Sequence, residues 1–256
     1  MWKCFFKFSG NKNKMEYMNL DVLVFAAHPD DAELAMGGTI ARFTHNEIKV
    51  GIIDLTRGEL GTRGTPQTRQ KEAFQAAILL KAAVRENLHI PDGGIAQNKE
   101  NLMKVIMTLR KYKPRIVFAP YFNDRHPDHI YTSNLVKEAV FSSGLEKVKT
   151  FQKEVSQEKF RPGKIYYYMQ TYTFEPSFIV DITGYQELKM KAVKTYSTQF
   201  YDPKSKEPET FISKPDFINY IESRSQFYGF QIGKQFGEPF FSEEKIELDL
   251  VGIIKG

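Results

Sequence analysis

The chain has 256 residues, 41% of them apolar, enough to close a hydrophobic core in one domain with at most a modest appendage. No run approaches the roughly eighteen consecutive apolar residues of a membrane-spanning helix, and the 36 basic and 31 acidic residues, net +5, are interspersed without a basic stripe, so neither a membrane span nor nucleic-acid binding is indicated. Cys4 is the only cysteine, which excludes an intramolecular disulfide and a cysteine-based zinc site and fits a reducing cytoplasm.

Residues 1–19 carry Trp2, Phe5, Phe6 and Phe8 but lack the sustained apolar core of a signal peptide. They read as a poorly ordered N-terminal extension, ahead of a single domain over 20–256. Asp21–Ala27 is a short apolar, β-branched run, as expected of a strand buried on both faces. Glu33–Thr44 follows as a helix, with Gly37 and Gly38 allowing close packing against the sheet. Lys49–Leu55 is a second strand, and a Gly-rich loop over Thr56–Pro66 leads into a helix over Thr68–Ala82. Asn87–Ile90 is a weak third strand, Lys99–Tyr112 a helix and Arg115–Ala119 a fourth strand. A helix runs from after His126 to Phe141, then strands over Lys164–Gln170 and Ser177–Ile182, and helices over Tyr185–Thr198 and Pro215–Tyr228. Strands alternating with helices imply an α/β fold: a Rossmann-like, mostly parallel sheet flanked by helices, with a C-terminal α/β elaboration.

Two segments carry chemistry, and each follows a predicted strand. His28-Pro29-Asp30-Asp31-Ala32-Glu33 comes after the first, and Asp124-Arg125-His126-Pro127-Asp128-His129 after the fourth. In a parallel sheet the loops at the carboxyl ends of strands converge on one edge, so distant segments can meet there. A catalytic zinc needs three nitrogen or oxygen ligands and an open position for water, whose pKa it lowers to about 7. His28, Asp31 and His129 supply two imidazoles and a carboxylate. Asp30, beside them, is free to act as general base. A protonated His126 can stabilise the tetrahedral oxyanion, and Asp128 can orient a histidine from behind. The leaving amine takes its proton from Asp30 or from His126. Taken alone, Asp30 or Asp31 could be a helix cap; it is the pairing of the two segments that favours a metal site. His45 and His89 have no such company and read as surface or packing residues. A nucleotide-binding Rossmann module would place G-x-G-x-x-G after the first strand, where this chain has acids instead.

These motifs resemble the PIG-L/LmbE family of N-acetylglucosamine deacetylases, from about residue 20 to the C-terminus. Asp54-Leu55-Thr56-Arg57-Gly58-Glu59, Pro120-Tyr121-Phe122-Asn123-Asp124-Arg125, Tyr196-Ser197-Thr198-Gln199-Phe200 and Gly237-Glu238-Pro239-Phe240 look closest to the bacillithiol-biosynthesis branch, which acts on N-acetylglucosaminyl malate. The resemblance implies a cytoplasmic hydrolase of a small N-acetylated sugar conjugate, with zinc, or another divalent ion such as iron(II), on His28, Asp31 and His129. It also implies an oligomer, commonly a hexamer. Another N-acylated sugar conjugate is the alternative substrate. Arg57, after the second strand, could grip a malate carboxylate in bidentate fashion, or be a solvated loop residue. Arg125 adjoins the second motif. Arg161 and Tyr196 are candidates by family position, the tyrosine otherwise being a packed helix residue.

Overall fold

In a computed structural model, which describes residues 18–249 and Ile254, a seven-stranded sheet is covered by helices on both faces. The elements run β1 (Val22–Ala26), α1 (Asp31–His45), β2 (Val50–Asp54), α2 (Pro66–Leu79), β3 (Val84–Asn87), α3 (Lys99–Tyr112), β4 (Ile116–Pro120) and α4 (Pro127–Ser143). A small hairpin, β5 (Phe151–Gln152) and β6 (Val155–Ser156), precedes β7 (Lys164–Tyr168) and β8 (Phe178–Asp181). A 3-10 turn over Thr183–Tyr185 leads to α5 (Gln186–Val193), α6 (Phe217–Gln231) and β9 (Gly237–Phe241). The expectation for residues 1–19 falls, apart from Met18 and Asn19, outside the described residues.

The strand order is β3-β2-β1-β4-β7-β9-β8. The first five of these are parallel, and β9 is antiparallel to both β7 and β8. Alternation along β1 divides the core: Val22, Val24 and Ala26 pack with α1, α2 and α5, whereas Leu23 and Phe25 pack with α3 and α4. Successive strands lie to one side of β1 up to β3 and to the other side from β4 onward. A crevice therefore opens between the β1 and β4 ends, the position where such sheets bind ligands.

Helix α1 is kinked. Met36 has φ −140° and ψ 25°, which breaks the backbone ladder. The Gly38 and Thr39 amides beyond it donate instead to the Glu238 carboxylate at 3.0 and 2.7 Å, so a residue of β9 caps the second half of the helix. Glu238 also pairs with Lys189 of α5 at 2.7 Å, both side chains only 1% exposed. The close approach at Gly38 is to Ile182, whose Cδ1 would lie 2.7 Å from an added Cβ, and at Gly37 to Lys189. These glycines serve α1 packing against α5 and its lead-in rather than against the sheet.

The third strand lies three residues earlier than the sequence suggests, and β9, absent from the sequence reading, fills an interior position. Proline is rare in interior strands because it donates no ladder bond. Here the β7 pairing ends at Phe240, one residue short of Pro239.

Candidate functional site

The turn after β1 carries the first segment. His28, Asp30 and Asp31 are all buried. Asp31 Oδ2 accepts the His28 backbone amide at 2.8 Å, closing the turn. Asp30 occupies the N-cap position of α1 yet its side chain caps nothing; it reaches Arg69 of α2, whose Nη2 donates to Asp30 Oδ2 at 2.8 Å and to the Pro29 carbonyl at 2.6 Å. The Asp30 backbone has φ 114°, a left-handed conformation that costs a non-glycine residue about 1–3 kcal/mol and recurs at functional sites.

The second segment meets the first across the crevice. Asp31 lies between two imidazoles, Oδ1 3.2 Å from His129 Nε2 and Oδ2 3.5 Å from His28 Nδ1. Behind His129, Nδ1 is 2.8 Å from Asp124 Oδ1. Behind His28, Nε2 is 3.2 Å from both Asp92 and Asp128. Each ring thus has one nitrogen held from behind by carboxylate and the other turned toward Asp31. His126 is the N-cap of α4, its Nδ1 accepting the Asp128 amide at 3.2 Å. That bond leaves Nε2 as the donor of a neutral ring, so His126 needs no second proton to donate.

Charge at the site is unbalanced toward acid. The side chains of Asp30, Asp31, Asp92, Asp124 and Asp128 are all buried within reach of Arg69 and the three histidines. Burial pushes Asp30 up to about 7, with Arg69 opposing and Asp31 adding to the rise. Burial also works against Asp31, but His129 and His28 hold it well below the ordinary carboxylate range. Burial lowers His129, yet Asp31 and Asp124 raise it to about 9. Burial lowers His28 too, and hydrogen bonds to Asp128, Asp31 and Asp92 outweigh that. His126 is lowered by burial and by its two neighbouring histidines.

Donors of these kinds suit a divalent ion, and Asp31 falls in neither of the two groups in which three donors come within 4.8 Å of one another. Ligands about 2.0–2.1 Å from a tetrahedral zinc lie about 3.3 Å apart, close to the spacings of Asp31 from the two rings. One nitrogen from each of His28, His126 and His129 falls within a 4.8 Å group, as do donors of His28, Asp92 and Asp128. The cluster forms the floor of a cavity of about 550 Å³, whose wall includes Leu60, Gln170, Gln199, Phe211 and Tyr220.

Comparison with known proteins decides the family. The chain matches the family described as PIG-L: GlcNAc-PI de-N-acetylase over residues 23–140. It is 37% identical to the conserved protein TT1542 of Thermus thermophilus, with a TM-score of 0.81 over 90% of this chain and 98% of that one. It is 30% identical to N,N'-diacetylchitobiose deacetylase of Pyrococcus horikoshii, with a TM-score of 0.73 over 86% of this chain and 82% of that one. The chain belongs to the PIG-L family. Diacetylchitobiose deacetylase of Thermococcus kodakarensis is a further relative of this PIG-L chain, 29% identical over 231 residues, which span 85% of this chain and 80% of that protein.

The PIG-L chain distributes the other sequence candidates unevenly. Asp128 reaches His28 and also accepts the Gly93 amide at 3.0 Å. Arg125 is exposed, lines the cavity, and stacks on Phe211 with its guanidinium carbon 4.6 Å from the ring centre. Arg57 is 49% exposed, 3.9 Å from Glu59, and lines a separate cleft of about 120 Å³ beside Asn87 and His89. Tyr196 is fully buried beneath the site, its hydroxyl donating to Glu33 at 3.1 Å, where Glu33 pairs with Arg85. Arg161 packs on Phe141 near the far end of α4, about 22 Å along the helix from His126. The structure thus brings Arg125 to the site and leaves Arg57, Arg161 and Tyr196 outside the cavity wall. It adds Arg69 and Asp92, which the sequence did not single out, and gives a role to Asp124, which opens the second segment. Asp92 follows β3 and Asp124 follows β4, so both obey the strand-end rule already used for the histidines.

Proposed function

We propose that the chain hydrolyses the N-acetyl amide of an N-acetylglucosamine conjugate, with a divalent ion, zinc before iron(II), held by His28, Asp31 and His129. The observation that carries this reading is Asp31 between two imidazoles that are each braced by carboxylate, with the Asp30–Arg69 pair alongside. When bound, the ion supplies a Lewis acid for the amide oxygen and eases ionisation of water. Asp30 accepts the proton that water loses on attacking the amide carbon, and Arg69 keeps its carboxylate aimed. His126, donating from Nε2, stabilises the oxygen that gains charge. The C–N bond then breaks, the amine leaves with the proton that Asp30 took from water, and acetate is released.

For the finer substrate we favour N-acetylglucosaminyl malate. The Arg125 guanidinium has no acidic partner among the described residues, while the cavity's other two arginines are occupied: Arg69 by Asp30 and Arg224 by the carbonyls of Gln170 and Leu34. An anionic aglycone suits a free, planar guanidinium. A neutral second sugar is the other reading. It is favoured by the relatives named for diacetylchitobiose and by the exposed rings of Tyr131 and Tyr220 on the cavity wall.

Metal analysis of the purified protein, paired with acetate release from N-acetylglucosaminyl malate, N,N'-diacetylchitobiose and N-acetylglucosamine, tests both levels. Bound zinc and fastest turnover of the malate conjugate are expected. Acetate release from none of the three would overturn the deacetylase reading, and a preference for diacetylchitobiose would overturn the malate assignment.

A further inference from the structure

Phe211 lines the cavity, with Thr210 and Ile212 on either side of it. Reciprocal bonds fix this residue: the Thr210 amide donates to Ser213 Oγ at 2.7 Å, and the Ser213 amide to Thr210 Oγ1 at 3.2 Å. The ring also meets Phe217 of α6 edge-on, centroids 5.9 Å apart. Its exposed side carries the Arg125 guanidinium at 4.6 Å. Arg125 lies on the loop before α4, two positions from Pro127, and no hydrogen bond or carboxylate fixes its head group among the described residues. The ring is thus its one observed anchor.

We propose that Phe211 is a positioning residue that sets aglycone specificity by holding Arg125 as the cavity's anion receptor. This rests on the anionic-aglycone reading above. A guanidinium stacked on a ring has one face covered while its N–H donors point outward in its own plane, so a carboxylate can still dock along the edge with two parallel bonds. The ring removes the rotational freedom an exposed arginine would otherwise lose on binding. A neutral aglycone takes no benefit from this arrangement. The role is therefore visible as discrimination between substrates rather than as loss of turnover.

The experiment compares Phe211→Ala, Phe211→Tyr and Arg125→Ala on N-acetylglucosaminyl malate and on N,N'-diacetylchitobiose, with the metal-loaded full chain. Phe211→Ala is expected to raise KM for the malate conjugate about two- to fivefold, in the range of an exposed cation–π contact, with kcat unchanged. Diacetylchitobiose kinetics are expected to stay unchanged, and Phe211→Tyr to restore the malate KM. Equal KM increases on both substrates would make Phe211 a general wall residue and overturn the proposal. If Arg125→Ala loses the malate preference but Phe211→Ala keeps it, the positioning role alone falls. If Arg125→Ala leaves the ratio of the two substrates unaltered, the anionic-aglycone reading falls and takes this proposal with it.

Discussion

Arg69 Nη2 and Asp30 Oδ2 meet at 2.8 Å with both side chains 6% exposed, although 39 residues of chain separate them. A buried pair of this kind gives the acid a fixed direction and offsets part of the burial that pushes Asp30 upward.

Asp30→Asn is expected to keep the metal and lower kcat by about 10²–10⁴, the usual contribution of a positioned base. Arg69→Met should lower kcat as well, and the double variant should be no slower than Asp30→Asn, because residues acting as a unit are not additive. Steady-state kinetics with metal content measured on the same samples checks this. Unchanged turnover in Asp30→Asn would remove Asp30 from the mechanism.

His126 falls in one of the two donor groups, so its role as ligand or as hydrogen-bond donor is open to direct test. His126→Ala is expected to retain stoichiometric metal and lose about 10²–10³ in kcat, as when one oxyanion donor is removed. Loss of metal in parallel with activity would instead make it a ligand.

Asp124 holds more than one element. Oδ1 takes His129 Nδ1 at 2.8 Å and the His126 amide at 3.0 Å, while Oδ2 takes the Thr171 and Tyr172 amides at 2.7 and 3.2 Å. Asp124→Asn should weaken metal binding about 10–100-fold, the typical effect of losing such a brace. Competition with a chromophoric chelator reads this directly.

Five carboxylates gathered around three histidines and Arg69 leave the site with excess negative charge when no metal ion is bound. Chelation is expected to abolish acetate release and to lower the thermal midpoint, and zinc to restore both. At free zinc about a hundredfold above Kd the gain in stability is about 2.7 kcal/mol. An unchanged melting curve after verified metal removal would count against a site built around an ion.

Glu238→Gln or Lys189→Met leaves one member of a fully buried pair without its partner. Either should cost about 3–5 kcal/mol, measured by denaturant unfolding with unchanged m-value.

Much of this was legible in the sequence. Strands β1, β2 and β4 are apolar and β-branched because both faces are covered, and the helix expected over Lys99–Tyr112 coincides with α3, which Asn98 caps. The two histidine segments could be paired because each follows one of these strands. What escaped was set by long-range contact. Strand β3 is only half-buried and carries Arg85 and Glu86, so it lacks an apolar signature. Strand β9 contains a proline and an acid, and the acid makes sense only once the α1 kink, some 200 residues earlier, exposes two amides. Arg69 sits in the first turn of α2, and its target Asp30 occupies the N-cap position of α1 without capping it, so nothing local in the sequence links the two.

The capping of α1 by Glu238 also bears on the order in which the molecule can be completed during synthesis. Domains fold as units while the chain emerges from its N-terminal end. A ribosome-bound chain can display both histidine segments and β1 to β4 well before residue 238 appears. Until then the Gly38 and Thr39 amides lack their acceptor and the sheet has no strand between β7 and β8. The helix that presents Asp31 therefore reaches its final form only when β9 joins the sheet.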